Sequence, residues 1–298
     1  MPSITLTAPA KVNLFLKVLG RRRDGYHNIH TIFEKISLAD KITITSVPHG
    51  IKVLSDKVIT RNPEDNIAYK AAELVIREFK ISSGVSIYIR KKIPMAAGLG
   101  GGSSDAASVL MGMDRLFGLR ISKSRMIDLA AKLGADVPFF VLGAAFATGK
   151  GIGEKLKPLN MGRKLWHLLV FPGFESATKE VYEAFDRLDF ALTGHTGDVK
   201  IGRLFQSFTV FKVIEAMLYN DLQCAAISEK KVLGSIIERL TASLGKKVVL
   251  SGSGSSVFCL YRTGKEAVKA KARIYRSIPA VMRKHWDIFV VQTEKFEE

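Results

Sequence analysis

Between Pro94 and Ala107 the chain reads PMAAGLGGGSSDAA, with four glycines and two serines lying between a strand-like run, Val85 to Ile89, and an amphipathic helix whose apolar stripe includes Val109, Met113 and Leu116. Glycines free the backbone to turn several N–H groups toward one point, and a helix N-terminus adds about half a positive charge there. The fold must therefore bring a strand into this loop and carry a helix out of it, and the loop itself suits a phosphate. Its candidate contacts are Pro94, Met95, Ala96, Ala97, Gly98, Leu99, Gly100, Gly101, Gly102, Ser103 and Ser104. It is not a Walker loop, because no lysine follows the last glycine, and the third position of a GxGxxG dinucleotide fingerprint falls on Ser103. The competing reading is a flexible strand-to-helix turn with a serine cap.

Periodicity places the remaining elements. From Ala10 to Leu19 the residues alternate, so Val12, Leu14, Leu16 and Val18 share one strand face while Lys11, Asn13, Phe15 and Lys17 share the other. Strands are also expected at Asp40 to Thr45, Trp166 to Phe171, Lys247 to Leu250, Val257 to Tyr261 and Trp286 to Val291. Helices are expected at Asn66 to Phe79, at Ser122 or Ser124 through Leu133, at Thr178 to Leu188, Ile201 to Tyr219, Glu229 to Leu244 and Lys265 to Ser277. The apolar run VPFFVLGAAFA reads as a buried core segment. Helices and strands mix without strict alternation, so the class is α+β. A change of character at roughly residues 155 to 165 divides the chain into a domain of residues 1–160 and one of residues 161–298.

Composition narrows the partners. The 45 Lys and Arg against 28 Asp and Glu leave a formal charge of +17, which favours anions. The basic residues are scattered, with short runs only at Arg21 to Arg23 and Arg90 to Lys92 and no basic tail or dense basic helix; a polyphosphate substrate also suits this surface, and most individual charges read as a solvated coat with no specific role. Cys224 and Cys259 lack metal or redox spacing and read as buried thiols in a reducing compartment. With no export signal and no apolar run long enough to span a membrane, a cytoplasmic location is expected. His27 and His30 have HxxH spacing, but no further ligand stands at zinc spacing.

Taken together, Pro94, Gly98-Leu99-Gly100 and Gly102-Ser103-Ser104 with Ala106-Ala107 resemble the ATP-phosphate loop of the GHMP kinases. Pro9-Ala10-Lys11-Val12-Asn13-Leu14 resembles that family's first motif, and Ser251-Gly252-Ser253-Gly254-Ser255-Ser256 its third. The blocks Arg23-Asp24-Gly25-Tyr26-His27 and Gly134-Ala135-Asp136-Val137-Pro138-Phe139-Phe140 resemble the branch of the family that phosphorylates a cytidine-diphosphate-linked methylerythritol.

The resemblance implies a ribosomal-protein-like N-terminal domain and a ferredoxin-like C-terminal domain, with the active site in the cleft between them. It implies transfer of the ATP γ-phosphoryl group to an alcohol, with Mg2+ neutralising the phosphates. Asp136 matches the family's base and Lys11 its catalytic lysine; the plain alternatives are a helix cap for Asp136 and a strand-edge lysine for Lys11. Asn13 is expected to orient the substrate or Lys11. Tyr26 and His27 resemble the residues that hold cytosine, and Tyr182 sits where the family has a second aromatic, although it also suits a helix core. Lys150 reads either as a phosphate contact or as a turn lysine, and Ser103 or Ser104 as a magnesium ligand. The expected partners are ATP and the cytidine-diphosphate-linked acceptor, with no nucleic acid and no membrane, in a monomer or weak homodimer.

Overall fold

Two long strands form the backbone of the first sheet. β1 (Ser3–Arg21) and β2 (His27–Val47) pair antiparallel from Ser3 opposite Thr45 to Arg21 opposite His27, and Gly25 turns the chain between them with a φ of 86°. This computed structural model describes residues 1–188 and 211–294. The strands expected at Ala10 to Leu19 and Asp40 to Thr45 are parts of this hairpin. Its extent is hidden because the pairing register shifts between Pro9 and Ala10, Asn13 and Phe15, and Val18 and Gly20. Each bulge resets the two-residue alternation on which strand recognition rests. Both faces of β1 are also covered: Val12, Leu14 and Phe15 pack in one apolar cluster, Leu16 and Val18 in another.

β3 (Ile51–Ser55) and β4 (Gly84–Arg90) extend the sheet beyond β2, in the order β3-β4-β2-β1. α1 (Ile67–Phe79) opens on Asn66, whose side chain accepts a hydrogen bond from the Ala68 N–H. α2 (Gly101–Phe117) follows the glycine-rich loop. It buries Ala106, Ala107, Val109, Leu110 and Met113 in the same cluster as Ile42, Ile44, Ile87 and Ile89 of the sheet. α3 (Lys123–Ala131) is capped by Ser122, not Ser124. The apolar run beyond it is a short helix, α4 (Val137–Val141), followed by β5 (Phe146–Lys150) and β6 (Lys155–Leu159), with β5 pairing to β2.

The second sheet has the order β11-β7-β10-β9 and contains β7 (Trp166–Phe171), β9 (Val249–Leu250), β10 (Val257–Tyr261) and β11 (Asp287–Gln292). Around it lie α5 (Thr178–Arg187), α6 (Phe211–Met217), α7 (Leu222–Glu229), α8 (Lys231–Leu244), α9 (Gly264–Ser277) and α10 (Ala280–Arg283). Of the helix expected over Ile201 to Tyr219, residues 201–210 lie outside the described residues. Its end is corrected, because Tyr219 begins β8 (Tyr219–Asn220), which pairs parallel with β1 through Phe15 and Leu16. Cys224 is exposed, against expectation, while Cys259 is buried.

The sheets are tied where β2 meets the end of β11. Thr293 donates to the buried Glu34 carboxylate at 2.7 Å, the Gln292 N–H reaches Ser37 Oγ at 3.1 Å, and His167 of β7 lies 3.0 Å from Glu34. The mixed α+β class is as expected, and its seam sets a cleft against the start of α2. α2 lies close on the sheet at Gly112, where a Cβ would come within 2.5 Å of Ile44 Cδ1 and 2.7 Å of Leu6 Cδ1. Gly112→Leu is therefore expected to destabilise the fold by about 1–3 kcal/mol through overpacking, measured by denaturant unfolding. Unchanged stability would mean that helix and sheet can separate freely there.

Candidate active site

The loop and α2 present an open anion cradle. Gly100 takes the N-cap position in the left-handed conformation, with a φ of 67°, and no side chain caps the helix. The first N–H groups of α2 have no partner within the helix and face a cleft of about 1210 Å³. Ser103 lines that cleft, whereas Ser104 is fully buried with its hydroxyl unpartnered. The loop is held from behind by the segment at Ser251 to Ser256: Ser251 Oγ donates to the Gly98 carbonyl at 3.0 Å and the Ser256 N–H to the Ala97 carbonyl at 3.2 Å. Gly98 has a φ of 74°, and a Cβ there would fall 2.0 Å from the Ser251 carbonyl oxygen. Two loops 153 residues apart in sequence are thus fitted backbone to backbone.

The first motif completes this arrangement. The Lys11 N–H donates to the Leu99 carbonyl at 2.9 Å, which fixes β1 against the loop. The Lys11 ammonium is nearly buried and donates to Asn13 Oδ1 at 2.7 Å; Asn13 Nδ2 donates to Thr31 Oγ1, and Thr31 Oγ1 to the Phe15 carbonyl, each at 2.7 Å. Asp136 Oδ2 stands 3.7 Å from the ammonium. Although Asp136 occupies the N-cap position of α4, its carboxylate caps no N–H and faces the cleft instead. Gly252, with a φ of 55°, passes so close that a Cβ would lie 3.1 Å from Lys11 Nζ. Lys11 is accordingly no strand-edge lysine with its head in water.

At the other end of the cleft, Tyr26 is 61% exposed, while His27 is buried. His27 Nε2 lies 2.7 Å from Asp186 Oδ1, and its ring stacks on Tyr182 with centroids 4.8 Å apart. One face of Tyr182 is therefore already taken by His27. Burial, with the nearby Asp136 charge, pushes the Tyr182 hydroxyl well above its ordinary range. Asp186 was not read from sequence, although it stands one helical turn after Tyr182, on the same face of α5. Thr31 was missed as well, because its part depends on strand pairing. Lys150 is exposed at the end of β5 and is not among the residues lining the cleft.

Residues 66–144 match the family described as GHMP kinases N terminal domain, and residues 209–280 match GHMP kinases C terminal. A 4-diphosphocytidyl-2-C-methyl-D-erythritol kinase of Geobacter metallireducens is 41% identical over 93% of this chain and 96% of its own length. Another, of Alkaliphilus metalliredigens, is 35% identical over 96% of this chain and all of its own. The chain belongs to the GHMP kinase family. A crystal structure of a 4-(cytidine 5'-diphospho)-2C-methyl-D-erythritol kinase superposes with a TM-score of 0.78 at 33% identity, covering 98% of this chain and all of the other. A homoserine kinase from Cytophaga hutchinsonii shares the fold, with a TM-score of 0.72 at 15% identity over 99% of this chain and 95% of its own.

This GHMP kinase fixes its phosphate-loop helix with a buried ionic cluster. Lys91, just beyond β4, donates to Asp40 of β2 and, at 2.8 Å, to Asp105 of α2; all three are buried. Asp40 also accepts the Lys92 and Ile93 N–H groups at 2.5 and 2.9 Å. A Cβ on Gly101 would lie 3.4 Å from Lys91 Nζ, so the cluster stands directly behind the first turn of α2. Burial, which the Lys91 charge opposes and the Asp40 charge reinforces, holds the Asp105 carboxyl up at about 7.

The folded chain therefore keeps the Asp105 proton through a pH range in which the unfolded chain has lost it. This residue's contribution makes the fold less stable as pH rises between about 4 and about 7. Asp105→Asn keeps the shape but cannot titrate, so the stability difference between parent and variant should change across that window. Thermal melts at several pH values measure it, and parallel curves would mean that Asp105 does not titrate there.

Proposed function

We propose that the chain transfers the γ-phosphoryl group of ATP to the 2-hydroxyl of 4-diphosphocytidyl-2-C-methyl-D-erythritol. The observation that carries this reading is the Lys11–Asp136 pair, 3.7 Å apart at the mouth of an uncapped helix N-terminus. A cation, a carboxylate and a set of unpaired N–H groups in one cleft are what transfer between a polyphosphate and an alcohol requires. The triphosphate lies along the N–H groups of Gly101 to Ser103. Its nucleoside lies against Ile59, Asn66 and Pro94, which line the cleft beside the loop. The two halves, residues 1–160 and 161–298, provide the loop and its backing respectively.

Asp136 accepts the proton of the 2-hydroxyl as that oxygen attacks the γ-phosphorus, and the bridging oxygen leaves with ADP. The Lys11 ammonium, held by Asn13, meets the charge on the transferred group. Magnesium accompanies the triphosphate and, when bound, offsets the charge of its oxygens. Ser103 fits as its protein ligand, because its side chain faces the cleft and that of Ser104 does not. No group of three or more His, Cys, Asp or Glu among the described residues could hold a metal unaided, in keeping with an ion held largely by the nucleotide.

For the acceptor, Tyr26 offers an open aromatic face to the cytosine ring. His27 faces the Asp186 carboxylate through Nε2, so that nitrogen carries the proton and, in the neutral ring, Nδ1 accepts. An acceptor at that point suits the cytosine amino group and repels the carbonyl of uracil. None of the helices in the described residues is long and apolar enough to cross a membrane, and we take the enzyme to work in the cytoplasm as a monomer or weak homodimer.

The deciding assay compares phosphorylation of the cytidine-diphosphate acceptor with that of mevalonate and homoserine. Only the first should be consumed, and turnover of a free small alcohol at equal efficiency would reject the assignment. Asp136→Asn is expected to leave ATP affinity nearly unchanged while lowering turnover by about a hundred- to ten-thousandfold, read by steady-state kinetics. Near-parental turnover would remove Asp136 as the base. Tyr26→Ala should weaken acceptor binding by about 1–3 kcal/mol by calorimetry, while Tyr26→Phe retains the stacking face and binds as the parent does. Equal affinities for all three would move the cytosine elsewhere.

A further inference from the structure

On the outer side of the Asp40–Lys91 cluster lies a second concavity, of about 870 Å³, lined by both halves of the chain. Five exposed or half-exposed cations converge on it: Lys41 of β2, Lys57 just past β3, Arg90 at the end of β4, Lys92 two residues on, and Lys271 of α9. Lys41 and Arg90 are direct cross-strand partners in the β2–β4 ladder, an arrangement that costs stability because like charges face each other. None of the five takes part in an ion pair among the described residues, although such pairs occur at Arg22, Arg125, Arg187 and Lys246.

The groove contains little opposing charge. Asp40 is consumed from within by Lys91 and two backbone N–H groups, which leaves Asp287 as the other carboxylate in the lining. The lining also includes Phe289 and Val290 of β11. The volume lies within the range of small-molecule sites.

We infer that this groove is a second anion site that binds an oligophosphate, meaning two or more linked phosphates, separately from the catalytic cleft. A chain of linked phosphates offers several anionic groups to cations carried on four separate segments, each contact being a charge-assisted hydrogen bond. Binding there relieves the repulsion between Lys41 and Arg90, so the ligand stabilises the fold as well as occupying the groove. Lys91 lines both cavities, and its ion cluster is the wall between them. The inference does not depend on which alcohol the cleft phosphorylates.

The test uses inorganic tripolyphosphate as probe, with the catalytic cleft first saturated by a non-hydrolysable ATP analogue. Calorimetry should then find one further site per chain that weakens as salt is raised, and the melting temperature should rise with added probe. Orthophosphate should bind at least about tenfold more weakly, as fits a ligand that must span separated charges. The double variant Lys41→Glu with Lys271→Glu should lose binding by tenfold or more while keeping parental turnover, since neither residue lines the cleft. Three results would overturn the site: no binding once the cleft is filled, equal binding of orthophosphate, or parental affinity in the double variant. Binding of long RNA without binding of tripolyphosphate would overturn it too, and would mark the surface as a nucleic-acid face. If the variant melts early, Arg90→Gln alone, with the melting shift as readout, serves in its place.

Discussion

The burial of one ammonium group governs the catalytic cleft. Lys11 is taken almost wholly out of water, a cost its surroundings meet with Asn13 at 2.7 Å and Asp136 at 3.7 Å. Each partner is fixed in turn. Asn13 is held by Thr31, Thr31 by the Phe15 carbonyl, and Asp136 by its place at the start of α4. Such a charge stays buried only where the surrounding backbone can approach closely, which is why the segment at Gly252 carries no Cβ above it. Three motifs meet at this residue: β1 supplies the lysine, the glycine-rich loop accepts its backbone N–H through the Leu99 carbonyl, and the segment at Gly252 passes close beside its ammonium.

A second buried lysine has the opposite task. Lys91 faces two carboxylates and stands behind the helix terminus, so its charge is spent within the protein. What it contributes is position. Asp105 lies on α2, Asp40 on β2, and Lys91 just past β4, so the cluster joins the helix that binds phosphate to the sheet that supports it. Removing Lys91 would leave the Asp40 and Asp105 carboxylates buried side by side without their shared cation, which is strongly destabilising.

The phosphate loop was legible in the sequence because its chemistry is local: glycines, a following helix and a preceding strand are contiguous. Lys11, Asn13 and Asp136 could be named through the family resemblance, but their contact could not be seen, since it depends on a hairpin whose bulges conceal its register. Long-range partners left no mark in the pattern. Thr31 looks like any strand threonine until β2 is laid beside β1, and Asp40 like any charge at a strand end until Lys91 is found beside it. Lys150, flanked by glycines, reads from sequence either as a phosphate contact or as a turn lysine, and in the fold it stands exposed at the end of β5, opposite Lys155 in the β5–β6 hairpin. Tyr182 and Asp186 share one face of α5 and could have been paired by helical spacing alone, had His27 been known to lie opposite.

The cleft is built differently at its two ends, and this bears on how one fold serves several acceptors. The donor end is made mainly of backbone: N–H groups of α2, carbonyls that anchor the loop, and close glycine contacts. Such groups tolerate change at the side chains around them but not at the glycines, since a Cβ on Gly98 would fall 2.0 Å from the Ser251 carbonyl oxygen. The acceptor end is made of side chains on separate elements, with Tyr26 on the β1–β2 turn, His27 at the start of β2, and Tyr182 and Asp186 on α5. None of these four lies on the glycine-rich loop, although His27 contacts both Tyr182 and Asp186. In the proposed reading, choice of alcohol rests on these side chains, while transfer rests on backbone groups and on the buried Lys11 ammonium.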